Sequence, residues 1–329
     1  MPTPTSLSPQ RVPKAASIRN LPINLFAAVM GIAGLALAWR QAGHQFGVSL
    51  LISEALGALA VLVFLVLAAG YLAKTIKYPG VVIGEFRHPV VGNFYGTIVI
   101  SILMLSSVVA PLDQTLAEIV WTIGMIGTLA LCFTIASRLL EGKIEIGNAV
   151  PAWFLPGVAT LDIVAMGATM PMPWAHEVNM LALAVGSMIA LLFFIMIMIR
   201  MIHHDPVPAP MVPSLMITMA PFEVAFLAYT NFVQHVDNFA GLLFYFGLFL
   251  FLVLLPKIFR GGIPFATGWW AIGFPVGALT SAALKYAVFA QAWPVAAIAL
   301  TLLGMLSVAI AVLFVKTMRI LVNGEMLGG

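Results

Sequence analysis

Ten long runs of apolar residues restrict what this sequence can fold into. They lie near 21–42, 49–73, 89–110, 115–139, 151–170, 177–202, 211–232, 238–259, 264–288 and 293–319. A helix needs about 20 apolar residues to cross the ~30 Å hydrocarbon core of a bilayer. Only 8% of the 329 residues are charged, against roughly 25% in soluble domains, so a soluble fold is excluded. The sequence therefore predicts an all-α integral membrane protein with ten transmembrane helices arranged as five hairpins.

The positions of lysine and arginine predict how these helices are oriented. When the spans alternate in direction, 13 of the 15 basic residues lie on the side of the N-terminus, and only Arg40 and Lys285 lie on the other. Because basic residues concentrate in cytoplasmic loops, both termini are expected in the cytoplasm. Residues 1–18 are predicted to be a disordered cytoplasmic tail, 19–322 the ten-helix transmembrane domain, and 323–329 a short cytoplasmic tail.

Proline divides the ten spans into two kinds. Spans five, seven and nine carry the interior prolines Pro156, Pro221 and Pro275, whereas no even span has one in its interior. An interior proline bends a helix and frees a backbone carbonyl. Every odd span also starts near a proline: Pro22, Pro89, Pro151, Pro213 and Pro264. This pattern predicts a hairpin of about 60 residues repeated five times, with five bent inner helices around a central pore.

Two carboxyl groups lie deep in the predicted spans. Asp162 is 11 residues past Pro151 and Glu223 is 10 past Pro213, which places both roughly 15 Å into the membrane at 1.5 Å per residue. Intramembrane carboxyls are functional candidates by default, as proton carriers or pore residues. A neutral acid packed between helices explains them equally well, so it stays open whether either one faces the pore or another helix.

Other residue patterns give little support to catalysis. All six histidines lie at span ends or in loops, the only cysteine is Cys132, and the sequence has no phosphate-binding loop or nucleophile elbow. No catalytic residue, metal or cofactor is expected. A membrane-embedded sensor or enzyme would need a soluble domain or a buried nucleophile with its base, and the chain supplies neither. The net charge of +3 is too small to indicate nucleic-acid binding.

Phenylalanines and hydroxyl groups supply the candidate pore residues. Phe274 precedes Pro275 and Phe222 follows Pro221, both at mid-depth, where a bulky ring can close a pore sterically and by dewetting. Ordinary packing is the simpler explanation of that spacing alone, since the chain has 22 phenylalanines. The hydroxyls expected to line the pore are Thr97, Ser101, Thr160, Thr218 and Thr280.

Five segments, each on an odd span, resemble one known family. They are MGIAGLALAWRQA (30–42), EFRHPVVGNFYG (85–96), PAWFLPGVATLD (151–162), VPSLMITMAPFEVAF (212–226) and WWAIGFPVGAL (269–279). With these segments in this order, the chain resembles the slow-type anion channel, tellurite-resistance (TehA-like) and C4-dicarboxylate transporter family. Residues 90–92 depart from it, because many relatives carry an arginine after the HPV sequence. Glu223 departs as well, since relatives often have a small or apolar residue there.

The resemblance implies more than the residues alone. It implies a homotrimer in a bacterial inner membrane, with one pore in each subunit and a phenylalanine on the ninth span that blocks it. Phe274 matches that position, whereas Phe265 lies too near the cytoplasmic start of the span. The implied function is a channel for small anions such as chloride or nitrate. The alternative is a proton-coupled transporter of dicarboxylates or tellurite that uses Asp162 or Glu223.

Overall fold

The computed structural model describes residues 17–142 and 145–328 and contains eleven α-helices there. They are α1 Ala27–Phe46, α2 Leu51–Lys77, α3 Pro79–Arg87, α4 Gly96–Val109, α5 Gln114–Leu140, α6 Phe154–Gly167, α7 Ala175–His203, α8 Ala220–Phe232, α9 Asn238–Ile258, α10 Gly273–Ala290 and α11 Trp293–Val322. All except α3 belong to the ten predicted spans, and the predicted and observed bounds agree within a few residues once the 3₁₀ segments that precede the inner helices are included. Among the described residues, nine of these spans are long and apolar enough to cross a membrane, and the tenth, Pro151–Gly167, is a shorter apolar helix.

Each odd span begins with a 3₁₀ segment that continues into an α-helix. The segments are Ile23–Phe26, Val91–Tyr95, Pro151–Trp153, Ala209–Met219 and Thr267–Ile272. Pro156, Pro221 and Pro275 are the second or third residues of the α-helices that follow. The first turn of an α-helix has N–H groups without intrahelical partners, so the missing proline N–H costs little there. The interior prolines thus mark the change from 3₁₀ to α geometry.

The odd-span helices form a closed inner ring, and the even-span helices surround it. Around the ring α1 contacts α4, α4 contacts α6, α6 contacts α8, α8 contacts α10, and α10 returns to α1. Each outer helix packs against the inner helix before it and the inner helix after it. In the longer inner spans 61–78% of the most apolar stretch is buried, against 22–39% in the outer spans. The predicted arrangement of five inner and five outer helices is therefore present in the structure.

Glycines close the ring between α1 and α10. A Cβ atom added to Gly273 would lie 3.0 Å from the Cα atom of Gly31, and one added to Gly277 would lie 3.4 Å from the Cα atom of Gly34. Helices approach this closely only where small residues face each other, as at transmembrane helix pairs in general. The first and the last inner helices therefore meet backbone to backbone.

The two ends of the ring differ in their number of basic residues. Lys74, Arg138, Arg200, Lys257 and Arg319 all lie near the C-terminal ends of the outer helices. We call this end of the molecule the basic face. Arg40 and Lys285 lie toward the C-terminal ends of inner helices, at the opposite face.

The short helix α3 on the basic face was not predicted from the sequence. The Nζ atom of Lys74, a completely buried residue, donates to the Leu21 carbonyl at 2.8 Å and to Glu85 Oε1 at 2.6 Å. The Tyr71 hydroxyl donates to Glu85 Oε2 at 2.8 Å. Arg138 donates to the Phe86 carbonyl at 2.7 Å. These contacts fix α3 beside the 3₁₀ segment Val91–Tyr95.

The two ends of the described chain meet on the basic face. The Ser17 N–H and the Asn20 side chain both donate to the Leu327 carbonyl, each at 3.0 Å. Residues 1–16 of the predicted N-terminal tail lie outside the described residues. The last two residues predicted for that tail, Ser17 and Ile18, are among the described residues, and so is Leu327 of the predicted C-terminal tail.

Candidate functional site

A cavity of about 260 Å³ lies inside the ring on the side of the basic face. All five inner spans contribute to its wall, which is largely apolar, and none of the described residues that line it is charged. Its polar side chains are those of Asn24, Thr97, Ser214 and Thr267. The Thr97 and Ser214 hydroxyls donate to carbonyls of their own spans at 2.6 and 2.7 Å, which leaves their oxygen lone pairs for other donors. We call this space the basic-side cavity.

A second, much smaller cavity lies further along the same axis. Its volume is about 20 Å³, close to the space that one water molecule needs. All five inner helices line it, through residues that include Gly34, Met104, Asp162, Val224 and Ser281. We call this space the far cavity.

Phe274 lies between the two cavities. It is the second residue of α10, directly after the change from 3₁₀ to α geometry, and it is 5% exposed. Among the described residues, Phe274 alone lines both the basic-side cavity and the far cavity. A ring in this position separates the two spaces.

The predicted pore-lining hydroxyls occupy several different environments. Thr97 lines the basic-side cavity. Ser101 donates to the carbonyls of Thr97 and Phe26, at the contact between α4 and the first span. A Cβ atom on Gly186 would lie 2.4 Å from the Thr160 hydroxyl, so Thr160 faces the outer helix α7.

The remaining two hydroxyls are buried and line neither cavity. Thr280 donates to the Val276 carbonyl of its own helix at 2.7 Å. The Thr218 hydroxyl has no hydrogen-bond partner among the described residues. Of the five predicted hydroxyls, the structure therefore brings only Thr97 to a cavity.

The two deep carboxyl groups point in different directions. Asp162 lines the far cavity, and its Oδ2 atom has no hydrogen-bond partner in the described part of the chain. Glu223 is completely buried and faces the outer helix α9, because a Cβ atom on Gly247 would lie 1.7 Å from Glu223 Oε1. Asp162 thus shares a space with Phe274, and Glu223 occupies the space that a side chain at position 247 would need.

Phe222 faces away from the central axis. Its ring centre lies 4.9 Å from that of Phe194 on α7 and 4.6 Å from that of Phe246 on α9. The sequence places Phe222 and Phe274 at similar depths in the membrane. In the structure, Phe222 belongs to an aromatic cluster with the outer helices, whereas Phe274 lies between the cavities.

At the opposite face, polar side chains bind the C-terminal carbonyls of inner helices. Arg40 donates to the Ser107 and Val108 carbonyls at 2.6 and 3.0 Å. Asn231 donates to the Ala165 carbonyl at 2.7 Å and accepts from the Lys285 Nζ atom at 2.5 Å. Arg40 and Lys285 therefore hold the ends of the ring together, and they bring two positive charges to this face.

Asp237, just before α9, is one of several acidic residues at the opposite face, with Glu54, Asp113 and Glu177 near the starts of other outer helices. Asp237 accepts a hydrogen bond of 2.6 Å from the Tyr229 hydroxyl and one of 2.9 Å from the Ala240 N–H. These bonds favour the charged form and lower the pKa of Asp237 below its usual value.

Sequence reasoning missed Asn24, Ser214, Thr267 and Ser281 as cavity residues. The first three lie in the 3₁₀ segments, whereas four of the five predicted hydroxyls lie in the α-helices that follow, and only Thr218 lies in a 3₁₀ segment. The prolines near the start of the odd spans were the available signal, because they mark the stretches in which these polar side chains occur.

The chain matches several known proteins along most of its length. The profile of the SLAC1 family, described as voltage-dependent anion channel, matches residues 20–318. An uncharacterized transporter of Methanocaldococcus jannaschii is 26% identical over 298 residues, which cover 83% of this chain and 86% of the relative. A tellurite resistance protein TehA homolog of Haemophilus influenzae is 27% identical over 272 residues, with 81% of each chain covered. The S-type anion channel SLAH2 of Arabidopsis thaliana is 28% identical over 281 residues, which cover 81% of this chain but 53% of the plant protein.

Proposed function

The chain belongs to the SLAC1 family of voltage-dependent anion channels, a family of membrane anion transport proteins, and from that premise we propose that it conducts small anions through the two central cavities, with Phe274 as the gate. The observation that carries the proposal is the position of Phe274, which lines both cavities. An anion that moves from the basic-side cavity to the far cavity has to displace this ring. An apolar constriction also resists water, and thus blocks ions by dewetting.

The electrostatics of the ring favour anions over cations without a charged binding site. All five inner spans begin at the basic face, so the positive ends of five helix dipoles surround that mouth. Arg40 and Lys285 supply positive charge at the other mouth. Selectivity then depends on pore width and on weak polar contacts such as that of the Asn24 amide N–H group in the basic-side cavity, which suits chloride and nitrate as permeant ions.

Replacing Phe274 by alanine tests the gate. Phe274→Ala is expected to raise anion conductance on the order of tenfold or more, because the obstruction between the cavities is removed and 1.4 kcal/mol off a barrier is a factor of ten in rate. The measurement is the chloride current in planar bilayers that contain the purified variant. Phe222→Ala is the matched control, since it removes the same side chain at a similar depth but away from the axis.

The two variants make the test decisive. An unchanged current from folded Phe274→Ala protein contradicts the gate, and so does an equal rise in Phe222→Ala. Thermal unfolding of both variants shows whether each is folded before its current is compared with that of the unchanged protein.

A second candidate function is proton-coupled transport of dicarboxylates or tellurite, and the position of Asp162 favours it. A carboxyl group without a partner in an apolar interior is costly, and this one lies in the far cavity beside Phe274. Glu223 supports this function less, because it faces Gly247 on α9.

Neutralising each carboxyl group in turn tests whether the protein is a proton-coupled carrier or a channel. In a carrier, Asp162→Asn abolishes uptake of malate or tellurite driven by a pH gradient, while Glu223→Gln retains it. In a channel, both variants continue to conduct chloride. Flux into proteoliposomes, measured with and without a pH gradient, decides between the two functions.

We also propose that the protein is a homotrimer with one pore in each subunit, in a bacterial inner membrane with both termini in the cytoplasm. The basic face supports the orientation, because lysine and arginine concentrate on the cytoplasmic side of membrane proteins. Native mass spectrometry of the purified protein measures the number of chains, and labelling of cysteines introduced near Leu327 in intact cells tests the side of the C-terminus.

A further inference from the structure

A long groove runs along the outside of the ring between the outer helices α9 and α11. Its volume is about 720 Å³, and its floor is formed by Ile272 and Val276 of the ninth span. One wall includes Phe251 and Leu255 of α9, and the other follows α11 from Leu300 to Lys316. The groove lies outside the central cavities and opens toward the region where the bilayer surrounds the protein.

The dimensions of the groove match an extended hydrocarbon chain. Lys316 lies sixteen positions after Leu300, which corresponds to about 24 Å along a helix at 1.5 Å per residue. The groove is therefore long enough for one acyl chain, which spans about half of the ~30 Å hydrocarbon core.

Gly304 widens the groove at its middle. A Cβ atom added to this residue would meet no other atom within 4 Å, although Gly304 lies well inside α11, where glycine has a poor helix propensity. The side chains around it, such as Leu300 and Val308, are about half exposed or more. The missing side chain thus leaves room along the wall of the groove.

The chemistry of the groove changes at the end near the basic face. Lys316 is the only charged residue among the described residues that line it. The Lys316 Nζ atom lies 5.5 Å from the centre of the Phe265 ring, and Trp269 donates to the Pro264 carbonyl at 3.1 Å. Aromatic side chains beside a lysine are typical of the level at which lipid headgroups lie. An ammonium group at this level attracts an anionic headgroup.

We propose that this groove binds an anionic phospholipid, with one acyl chain along α11 past Gly304 and the phosphate beside Lys316. The site is separate from the anion pathway, and the proposal goes beyond the proposed function without depending on the Phe274 gate. Ile272 and Val276 flank Phe274 in sequence, so the acyl chain supports the same segment that carries the gate residue.

Lipid binding to the full-length protein tests this site directly. The purified protein is titrated with phosphatidylglycerol and with phosphatidylcholine of identical acyl chains, and bound lipid is counted by native mass spectrometry. Gly304→Leu is expected to weaken binding of both lipids about tenfold, because its side chain fills the groove. Lys316→Gln is expected to remove the preference for phosphatidylglycerol, whereas the lipid acyl chain still binds in the groove.

Val315→Leu is the matched control for the filled groove. Val315 is 50% exposed on α11 and does not line the groove, so this variant is expected to bind both lipids like the unchanged protein. Ala309→Phe, which enlarges another lining residue, replaces Gly304→Leu if that variant does not fold.

Three outcomes overturn the proposal. The first is full lipid binding by folded Gly304→Leu protein, and the second is equal binding of the two lipids by the unchanged protein. The third is a different number of chains per particle in Gly304→Leu, which shows that a second copy of the chain covers this face.

Discussion

Lys74 has the most complete set of polar contacts among the buried charged residues. Its ammonium group donates to the Leu21 carbonyl and to Glu85, and it lies 5.2 Å from the centre of the Tyr71 ring. A buried charge of this kind is stable only while its partner is present, since the attraction offsets the loss of hydration. Lys74 therefore links the first span, α2 and α3 through one atom.

Replacing Lys74 alone is expected to destabilise the protein. Lys74→Met leaves the Glu85 carboxylate without its cation and lowers the free energy of unfolding by about 3 kcal/mol, at the lower end for broken buried pairs because Glu85 keeps some solvent contact. The double variant Lys74→Met/Glu85→Gln regains much of this loss. Thermal unfolding in detergent measures both, and equal stability of the single and double variants contradicts the pairing.

At the residue scale, the sequence predicts how deep a side chain lies in the membrane, but it does not predict which neighbour the side chain faces. Counting from the first proline of the span placed Asp162, Glu223, Phe222 and Phe274 near mid-membrane. Successive residues of a helix turn by about 100°, so an error of one or two residues in the start of a helix changes the neighbour that a side chain faces. Only the structure shows Asp162 beside Phe274 and Glu223 against Gly247.

At the scale of elements, the change from 3₁₀ to α geometry distinguishes the inner spans from the outer spans. Apolar runs predicted all ten spans, because burial in lipid requires a continuous apolar stretch. They did not predict the 3₁₀ segments, since an apolar run has the same composition in either geometry. They also missed α3, whose nine residues are too short and too mixed in polarity to be recognised as a span.

The contact between α1 and α10 is expected to tolerate no residue larger than glycine at position 273. Gly273→Leu places a side chain against the Gly31 backbone and lowers the free energy of unfolding by about 1–3 kcal/mol or more, as overpacking does. The control is Gly304→Leu, which makes the same exchange where no atom lies within 4 Å. Unfolding temperatures of the two variants are compared, and similar values contradict backbone-to-backbone packing at Gly273.

At the scale of the whole molecule, the described residues of the five inner spans line two central cavities with almost no fixed charge. The 8% charged residues lie mainly at the two faces, and the described lining of the basic-side cavity has none. Along the proposed anion pathway through these cavities, an anion exchanges its water for apolar side chains and a few polar groups. The cost of removing that water then determines which anions pass most easily.

Nitrate is expected to permeate more readily than chloride. Its charge is spread over three oxygen atoms, so it loses less hydration energy in a mostly apolar path. Reversal potentials with nitrate on one side of a bilayer and chloride on the other measure the permeability ratio. Phe274→Ala is expected to raise both currents and to keep this order, because the cavity walls are unchanged, whereas a preference for chloride indicates a dedicated chloride site.

The glycine contact between α1 and α10 also has a consequence for biosynthesis. The ribosome makes α1 near the beginning of the chain and α10 near its end. The glycines of α1 therefore have no partner helix until α2 and the next three hairpins have been made. During this time the ring is an open arc, and its interior is not yet sealed from lipid. Only the last hairpin closes the ring of inner helices, so the two central cavities obtain their complete lining when synthesis is almost finished.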